Sequence, residues 1–433
     1  MGEGSKKPGF AAYMPVTFLI GCGFFTMGLM DPLYDTYVPL FLRRYIGSNT
    51  LVGGIMTLDN ILQLILIPII AVWSDRTRTR IGRRMPFIVV MLPVSALLFH
   101  AIPVMAAISL WALIGIIFLF NIFKTSVRGP VVALMPDTVP GEFRSEANGV
   151  INTMGGIGLI VGTLALTRLM NRGEGLPFTV AGGCIILAVI ILLLFVKERP
   201  EYRSKTPGAD ASEAEEKVPM FKSIKIAFSA KDGEGKASVP RILLSLFFWF
   251  MAYEGVKPFL GLYLVEEVGV AESNAALAQG IAGISSVIMA IPAGYLAHKM
   301  GRRRYIRLCL ILLTAVLLAI PVSGAIAVGR GFSLNGRLIL FLILMFCYGA
   351  VWIGIVVNSF PMLWQMADSK TMGIYTGLYY TFSQSAAILA PPVTGAIIDL
   401  SGYPGIFIFG GICMLAAWWI MSGVSAGEAG QKA

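Results

Sequence analysis

"IPIIAVWSDRTRTRIGRRMPFIVV", residues 67 to 90, joins two apolar runs through a turn that holds five arginines. Each run belongs to a stretch long enough to cross the hydrocarbon core of a bilayer, which takes about 20 apolar residues in a helix. A backbone inside lipid has to satisfy its own hydrogen bonds, so both stretches are predicted to be α-helices. The sequence here therefore predicts two membrane-spanning helices joined by a short basic loop.

The same alternation continues along the whole chain. Of its 433 residues 56% are hydrophobic and only 13% charged, whereas about a quarter are charged in ordinary soluble domains. Twelve apolar runs are centred near residues 28, 62, 96, 122, 157, 186, 253, 285, 317, 350, 384 and 414. The predicted fold is an all-α membrane protein of 12 transmembrane helices in two six-helix bundles.

The two predicted bundles are residues 1–196 and 239–433, joined by a cytoplasmic linker over 197–238. Within the linker, "FKSIKIAF" at 221–228 has apolar residues at helical spacing. Two structures are compatible with this segment: an amphipathic helix on the inner leaflet and a flexible tether.

The halves resemble each other, because "GYLAHKMGRRRYIRL" at 294–308 follows the second helix of the second half as residues 74–84 do in the first. Repeated halves around a midplane site are the architecture of secondary transporters. Gly158 and Gly162, four residues apart, predict close packing of the fifth helix against a neighbour.

The positive charge decides the orientation. The formal net charge is +10, and most of the 34 Lys and Arg lie in short loops and tails on one side, which the positive-inside rule assigns to the cytoplasm. The chain is therefore predicted to lie in the cell membrane (plasma or inner), with both termini cytoplasmic. Because the basic residues hold loops in place, no nucleic acid partner is expected.

The reactive residues do not form catalytic groups in the sequence. Five cysteines lie inside apolar runs without metal-like spacing, and His100 and His298 have no plausible partners. We find no nucleophile and base pair, phosphate loop or metal cluster. We therefore expect no enzyme activity, no cofactor and no metal. The rival classes are a membrane enzyme such as a lipid-modifying transferase, and a sensor or scaffold that binds sugar without transporting it. The chain is expected to be a monomer in the lipid bilayer.

Seven ionisable residues fall at mid-membrane depth, where a charge costs several kcal/mol unless it is paired or wetted. They are Asp31 and Asp35 on helix 1, Asp59 on helix 2, Lys124 and Arg128 on helix 4, and Glu254 and Lys257 on helix 7. Residues four apart share a helix face, so the helix 1 and helix 4 pairs can face and neutralise each other. Glu254 and Lys257 can pair within their own helix.

Asp35 and Asp59 fall at similar depth on consecutive helices. If they face each other, repulsion and burial favour the uptake of a proton by one of them. The predicted proton-coupling residues are therefore Asp31, Asp35, Asp59 and Glu254, although such charges can also serve only to hold helices together.

Neutral polar and aromatic residues gather in the later helices, as a sugar site needs. Hydroxyl groups of a sugar bind polar side chains and its C–H face packs on aromatic rings. The predicted substrate-binding residues are Asp31, Lys124, Arg128, Trp249, Tyr253, Lys257, Asn358, Tyr379 and Gln384.

The loop "SDRTRTRIGRRMPFI" resembles the SDRxxxRxGRRRPFI form of the major facilitator superfamily loop, as in plant sucrose carriers, their animal relatives and glycoside-pentoside-hexuronide cation symporters. "RGPVVALMPD", "RSEANG", "NSFPM" and "YTGLYYTFSQSAAILAPP" match as well, so the resemblance covers nearly all twelve helices. It implies a cavity lined by helices 1, 4, 7 and 10. It also implies that basic loops close the cytoplasmic side, through Asp75, Arg76, Gly82, Arg83, Arg84, Gly301, Arg302 and Arg303.

The chain departs from these families at three points. Melibiose-type sodium symporters carry Asp-x-x-x-Asp-Pro on helix 2, where this sequence has Gln63, Ile67 and Pro68, which favours protons over sodium. His298 stands where the second loop motif has an acid, so a weaker second gate is expected. Lys124 and Glu254 fit no family pattern.

These features together predict a secondary transporter with a small-molecule sugar and a proton as its ligands. The predicted activity is proton-coupled symport of a small glycoside, a disaccharide, by alternating access. A proton-driven exporter of sugars or drugs on the same fold is the alternative.

Overall fold

A computed structural model describes residues 9–198, 238–366 and 372–425 of the chain. This part consists almost entirely of helices joined by short turns. The twelve long helices are α1 Met14–Arg43, α2 Asn49–Arg76, α3 Met85–Ile108, α4 Leu110–Leu134, α5 Arg144–Ile160, α6 Leu176–Phe195, α7 Ser238–Val256, α8 Leu277–Met300, α9 Arg302–Gly329, α10 Leu334–Trp364, α11 Met372–Ser401 and α12 Gly405–Ser422.

Eleven of the helices in the described ranges are long and apolar enough to cross a membrane. The twelfth, α11, has 30 residues, more than the about 20 that a crossing needs. The predicted all-α membrane fold is therefore confirmed. Residues 199–237, which hold most of the predicted linker and the whole 221–228 segment, lie outside the described residues.

Two of the α-helices are followed directly by turns of π-helical and 3₁₀ geometry. After α5 the chain passes through a π-helical turn, Val161–Ala165, and a 3₁₀-helix that ends at Arg172. After α7 it forms a 3₁₀-turn, Lys257–Phe259, and a π-helical turn, Tyr263–Val268. Pro258 has no backbone N–H and disfavours α-geometry at the residue before it, which explains why α7 changes its winding at Lys257.

Serine side chains begin three of the helices. Ser48, Ser109 and Ser333 each accept a hydrogen bond from a backbone N–H of the following first turn, in α2, α4 and α10. Such caps satisfy a donor that has no partner inside the helix.

Of the described residues, the first compact unit contains 9–34 and 61–198. In it, α3 packs along α4 and α6, while the first part of α1 packs on α5 through glycines. A Cβ atom at Gly158 would overlap the Phe25 carbonyl, and one at Gly162 would lie 2.9 Å from the Leu29 carbonyl oxygen. The close packing predicted from the Gly158 and Gly162 spacing is confirmed.

Of the described residues, the second compact unit contains 35–60, 238–366 and 372–425. In it, α8 packs along α10, and α7 packs on α11 and α12. The first two turns of α2, Asn49–Met56, pack along α11. The backbones approach closely there, since a Cβ atom at Gly53 would overlap the Pro391 carbonyl and one at Gly395 would overlap the Asn49 carbonyl.

The boundary between the units therefore passes through α1, between Tyr34 and Asp35, and through α2, between Asn60 and Ile61. The division into six-helix bundles at 1–196 and 239–433 stays a prediction.

Candidate functional site

Asp31 of α1 forms an ion pair with Lys124 of α4 in the first unit, with 2.7 Å between Lys124 Nζ and Asp31 Oδ1. The two partners differ in exposure, because the Asp31 side chain is 36% exposed and that of Lys124 only 11%. Asp31 is thus the more exposed member of the pair.

Aromatic rings surround the Lys124 ammonium. Lys124 Nζ lies 4.9 Å from the ring centre of Tyr34 and 5.8 Å from that of Phe120, and the two rings stack on each other. Asn121 Nδ2 donates to the Tyr34 hydroxyl at 2.8 Å. An ammonium over ring faces is stabilised by the negative charge density of the rings, so this arrangement holds the cation in a mostly apolar place.

Asp35, one helical turn further along α1, belongs to the second unit and pairs with Lys257. Lys257 Nζ lies 2.7 Å from Asp35 Oδ2. Here the carboxylate is the more buried partner, 12% exposed against 33% for the lysine. The sequence did not predict this partner for Lys257, and the pairing of Lys257 with Glu254 stays a prediction.

The remaining predicted charges have different surroundings. Arg128 donates to Gln63 Oε1 at 3.4 Å, and the pairing expected between Arg128 and a helix 1 carboxylate is not observed among the described residues. Asp59 is half-buried in α2, between Thr57 and Asn60, which donate to backbone carbonyls of α11. The expected contact of Asp59 with Asp35 stays a prediction.

An aromatic cluster in the second unit joins α7, α10 and α11. The rings of Tyr253 and Trp352 stack in parallel, with centres 4.2 Å apart and 4° between their planes. Phe250 stands at right angles to Trp352, and its ring centre lies 6.3 Å from that of Tyr379. Tyr348 lies parallel to Tyr253, 6.4 Å away. The cluster thus brings together two predicted substrate residues, Tyr253 and Tyr379.

Sequence reasoning missed Phe250 and Tyr348. A ring in an apolar helix is most often packing or an interface anchor, so neither stood out. The signal that could have found them is helical spacing, since Phe250 is three residues before Tyr253 and Tyr348 four before Trp352.

Three other predicted substrate residues lie in more enclosed positions. Trp249 is fully buried. Asn358 Nδ2 donates to the Gly354 carbonyl of its own helix at 2.8 Å. Gln384 is half-buried, and its Oε1 has no hydrogen-bond partner among the described residues. Of the three, Gln384 retains an acceptor for a ligand hydroxyl.

The predicted gating loop forms a dense charged network inside the first unit. Asp137, after α4, accepts hydrogen bonds from Arg83 Nε at 2.8 Å and Arg84 Nε at 3.1 Å, and Arg84 also contacts Asp75 and Ser74. The hydrogen bond to Asp137 raises the pKa of the Arg83 guanidinium above its usual value, so its charge is permanent.

Glu198 completes this network from the end of the first unit. Its carboxylate accepts the backbone N–H groups of Arg83, Arg84 and Met85 at 2.8, 2.7 and 3.1 Å, where α3 begins. A carboxylate at a helix amino terminus is favoured by the helix dipole. Gly82 has a φ of +117°, and a Cβ atom there would overlap Glu198, so this position requires glycine.

The second basic loop makes a different contact. Gly301 has a φ of +87° and precedes Arg302, the first residue of α9, while Arg303 donates to the Ser422 carbonyl at 2.8 Å. Arg76 is exposed at the end of α2. The closure of the cytoplasmic side by the two loops stays a prediction.

Asp399, near the end of α11, binds the start of α2 in the second unit. Its carboxylate accepts hydrogen bonds from the side chains of Ser48, Asn49 and Thr50 at 2.8 to 2.9 Å. It also accepts from the backbone N–H groups of Asn49 at 2.8 Å and Thr50 at 3.0 Å. We refer to these four residues as the Asp399 cluster, which sequence reasoning missed.

Among the residues that the structure describes, no group of three His, Cys, Asp or Glu side chains could hold a metal ion. Two carboxylates within the helices pair with lysines, Asp31 with Lys124 and Asp35 with Lys257.

Comparison with known proteins gives the family. The sequence matches the Major Facilitator Superfamily over residues 16–391 and again over 242–431. It is 24% identical to Multidrug resistance protein 2 of Bacillus subtilis (strain 168) over 403 residues, 90% of both chains. It is 23% identical to the agnestins efflux protein of Paecilomyces divaricatus over 69% of this chain and 61% of that protein.

Solved structures share the fold. A D-xylose-proton symporter superposes with a TM-score of 0.67 at 14% identity, over 97% of this chain and 99% of that one. The nucleoside transporter NupG superposes with a TM-score of 0.69 at 10% identity, over 95% and 99%.

The helices, the charges within them and these matches define a multi-pass membrane transporter. The chain belongs to the major facilitator superfamily.

Proposed function

We propose that this transporter is a proton-coupled symporter that carries a small glycoside, a disaccharide, by alternating access. The observation that carries the proposal is the pair of carboxylates one turn apart on α1, each in an ion pair with a lysine at 2.7 Å. Charges inside a membrane helix are expensive, and those that occur there often serve proton or ion pathways.

In this proposal a proton on Asp31 or Asp35 changes the charge balance of its lysine pair. Proton and sugar together stabilise the crossing form more than either ligand alone, which is the condition for coupled transport. Arg128 favours release of the proton after crossing. The parallel rings of Tyr253 and Trp352 support the sugar assignment, because they offer a flat surface for a C–H face.

The proposed location is the cell membrane with both termini in the cytoplasm, as the charge bias of the loops suggests. In that orientation the basic loops close the cytoplasmic side. The start of α2 and the end of α11, with the Asp399 cluster, then face the outside.

The test is transport by the purified full chain in liposomes. Labelled glycosides are screened with an imposed proton gradient, with and without a protonophore. We expect accumulation that the protonophore abolishes. The double variant Asp31→Asn with Asp35→Asn should lose this accumulation, whereas Glu142→Gln, at an exposed turn outside the helices, should keep it.

Two results would contradict the symport proposal. Full proton-driven accumulation by the double variant would show that neither aspartate is needed for proton coupling. Faster loss from preloaded vesicles than uptake, in response to the gradient, would favour a proton-driven exporter. Two relatives are named as a multidrug resistance protein and an efflux protein. A proton-driven exporter is therefore the second candidate function.

A further inference from the structure

A cavity of about 580 Å³ lies in the second unit, and no residue of the charged pairs of α1 lines it. Its walls come from the π-helical turn Tyr263–Val268 after α7, the end of α9 and the start of α10. Pro404, just before α12, also lines it. Its volume is within the range of about 300–1,000 Å³ that is usual for ligand sites. Val328, on its wall, is well exposed, so the cavity reaches the protein surface.

The walls are mainly apolar. Tyr263 and Phe341, both almost fully buried, lie with ring centres 5.3 Å apart and belong to the lining together with Ile320 and Leu340. A water molecule needs two to four polar partners to be stable in a cavity, which the aliphatic side chains of Ile320 and Leu340 do not offer. A hydrocarbon chain suits them better.

Two opposite charges line the same cavity. Arg337 has a buried Nε atom without a hydrogen-bond partner among the described residues. Glu267 is exposed in the π-helical turn that follows α7. Neither side chain forms an ion pair in the described part of the chain. Arg337 lies near the amino-terminal end of α10, where the helix dipole favours an anion and not a cation.

We propose that this cavity binds a membrane phospholipid whose headgroup carries both a phosphate and a primary ammonium. Arg337 binds the phosphate, as a guanidinium does with two parallel hydrogen bonds. Glu267 binds the ammonium, and an acyl chain fills the space beside Tyr263 and Phe341. The proposed orientation puts these helix ends at the depth of the outer headgroups, where such a lipid is available.

The test uses the delipidated full chain and native mass spectrometry with three phospholipids that share acyl chains but carry ethanolamine, glycerol or choline heads. We expect the ethanolamine lipid to be retained at least fivefold better than the choline lipid, which has no N–H donor. Arg337→Gln should reduce retention of all three, while Arg337→Lys should keep part of it. Glu267→Gln should remove the preference for ethanolamine.

Neighbouring residues outside the lining give matched controls. Arg330→Gln at the end of α9 and Glu266→Gln beside Glu267, both exposed, should leave retention unchanged. Gly324→Leu, whose side chain would point toward Tyr263, should block the acyl chain. Equal losses in Arg330→Gln and Arg337→Gln would overturn the proposal. So would saturable binding of inorganic phosphate that Arg337→Gln abolishes, together with no retention of any of the three lipids, because it would mean a simple anion site.

Discussion

Tyr253 and Trp352 stack face to face, and Phe250 holds the edge of Trp352. Parallel and edge-on ring pairs are worth about 0.5–1.5 kcal/mol beyond the area they bury. Three rings that restrain one another in this way keep their orientation without a ligand, which lowers the entropy that binding would otherwise lose. In the proposed symporter, this fixed orientation would favour binding of the C–H face of a sugar.

The first prediction concerns the ring of Tyr253. Tyr253→Leu removes the surface stacked on Trp352, so the KM for the transported glycoside should rise about two- to tenfold, the equivalent of 0.5–1.5 kcal/mol. Tyr253→Phe keeps the ring and should stay within twofold of the unmodified protein. Initial rates of proton-driven uptake in liposomes measure both. A larger loss in Tyr253→Phe than in Tyr253→Leu would show that the hydroxyl, and not the ring, matters.

Single residues also mark the limit of prediction from sequence. Asp31 and Lys124 could be selected because a charge in an apolar helix is exceptional wherever it occurs. Their spacing further suggested that they could pair, as they do. Nothing in the sequence links Asp35 to Lys257, because their contact depends on how α7 packs beside the end of α1 and on the turn at Pro258.

At the scale of elements, α2 and α11 complement each other. Asp399 is a negative charge near the carboxyl end of its own helix, where the dipole disfavours it, and at the amino end of α2, where the dipole favours it. The contact thereby satisfies the first donors of α2 and offsets the unfavourable position in α11. Ser48, Asn49 and Thr50 are typical cap residues, but the sequence does not indicate which carboxylate binds them.

We predict that Asp399→Asn loosens α2 from α11. An exposed cap contributes about 1 kcal/mol, so the equilibrium between the packed and separated helices should shift about fivefold. Spin labels at Leu51 and Leu400, both well exposed, in a variant without the native cysteines would report the distance between the helices. A longer-distance population should grow in Asp399→Asn. Ser401→Ala, whose hydroxyl bonds within its own helix, is the control, and identical distributions in both variants would contradict the prediction.

The glycines of α2 give an independent test of the same packing. Gly53→Ala should lower the unfolding temperature of the purified protein, because its Cβ atom would overlap the Pro391 carbonyl of α11. Gly54→Ala meets nothing within 4 Å and should be neutral or stabilising, since alanine is favoured over glycine in a helix by about 0.5–1 kcal/mol. Thermal unfolding in detergent compares the two. Equal shifts of the unfolding temperature in both variants would mean that helix propensity, and not contact with α11, determines the change in stability.

For the whole molecule, the all-helical membrane fold followed from the sequence because lipid leaves the backbone few alternatives. The apolar runs near residues 28 and 62 became α1 and α2 as predicted. The sequence did not predict that the boundary between the two compact units passes through α1 and α2. This boundary depends on close contacts such as Gly395 with Asn49, and any apolar helix with small residues could make such contacts.

The orientation of the whole chain is the last prediction. The segment 76–84 carries five arginines, whereas the loop between α1 and α2, residues 44–48, carries only Arg44, so the positive-inside rule assigns the two loops to opposite sides. In a background without native cysteines, Gly47→Cys should react with a membrane-impermeant maleimide on intact cells. Arg80→Cys should react only after the cells are opened, and four arginines remain in its loop to maintain the topology. Both positions are exposed, so lack of labelling would reflect the membrane and not burial. The reverse pattern would place the Arg83 and Asp137 network outside the cell and would exclude it as a cytoplasmic gate.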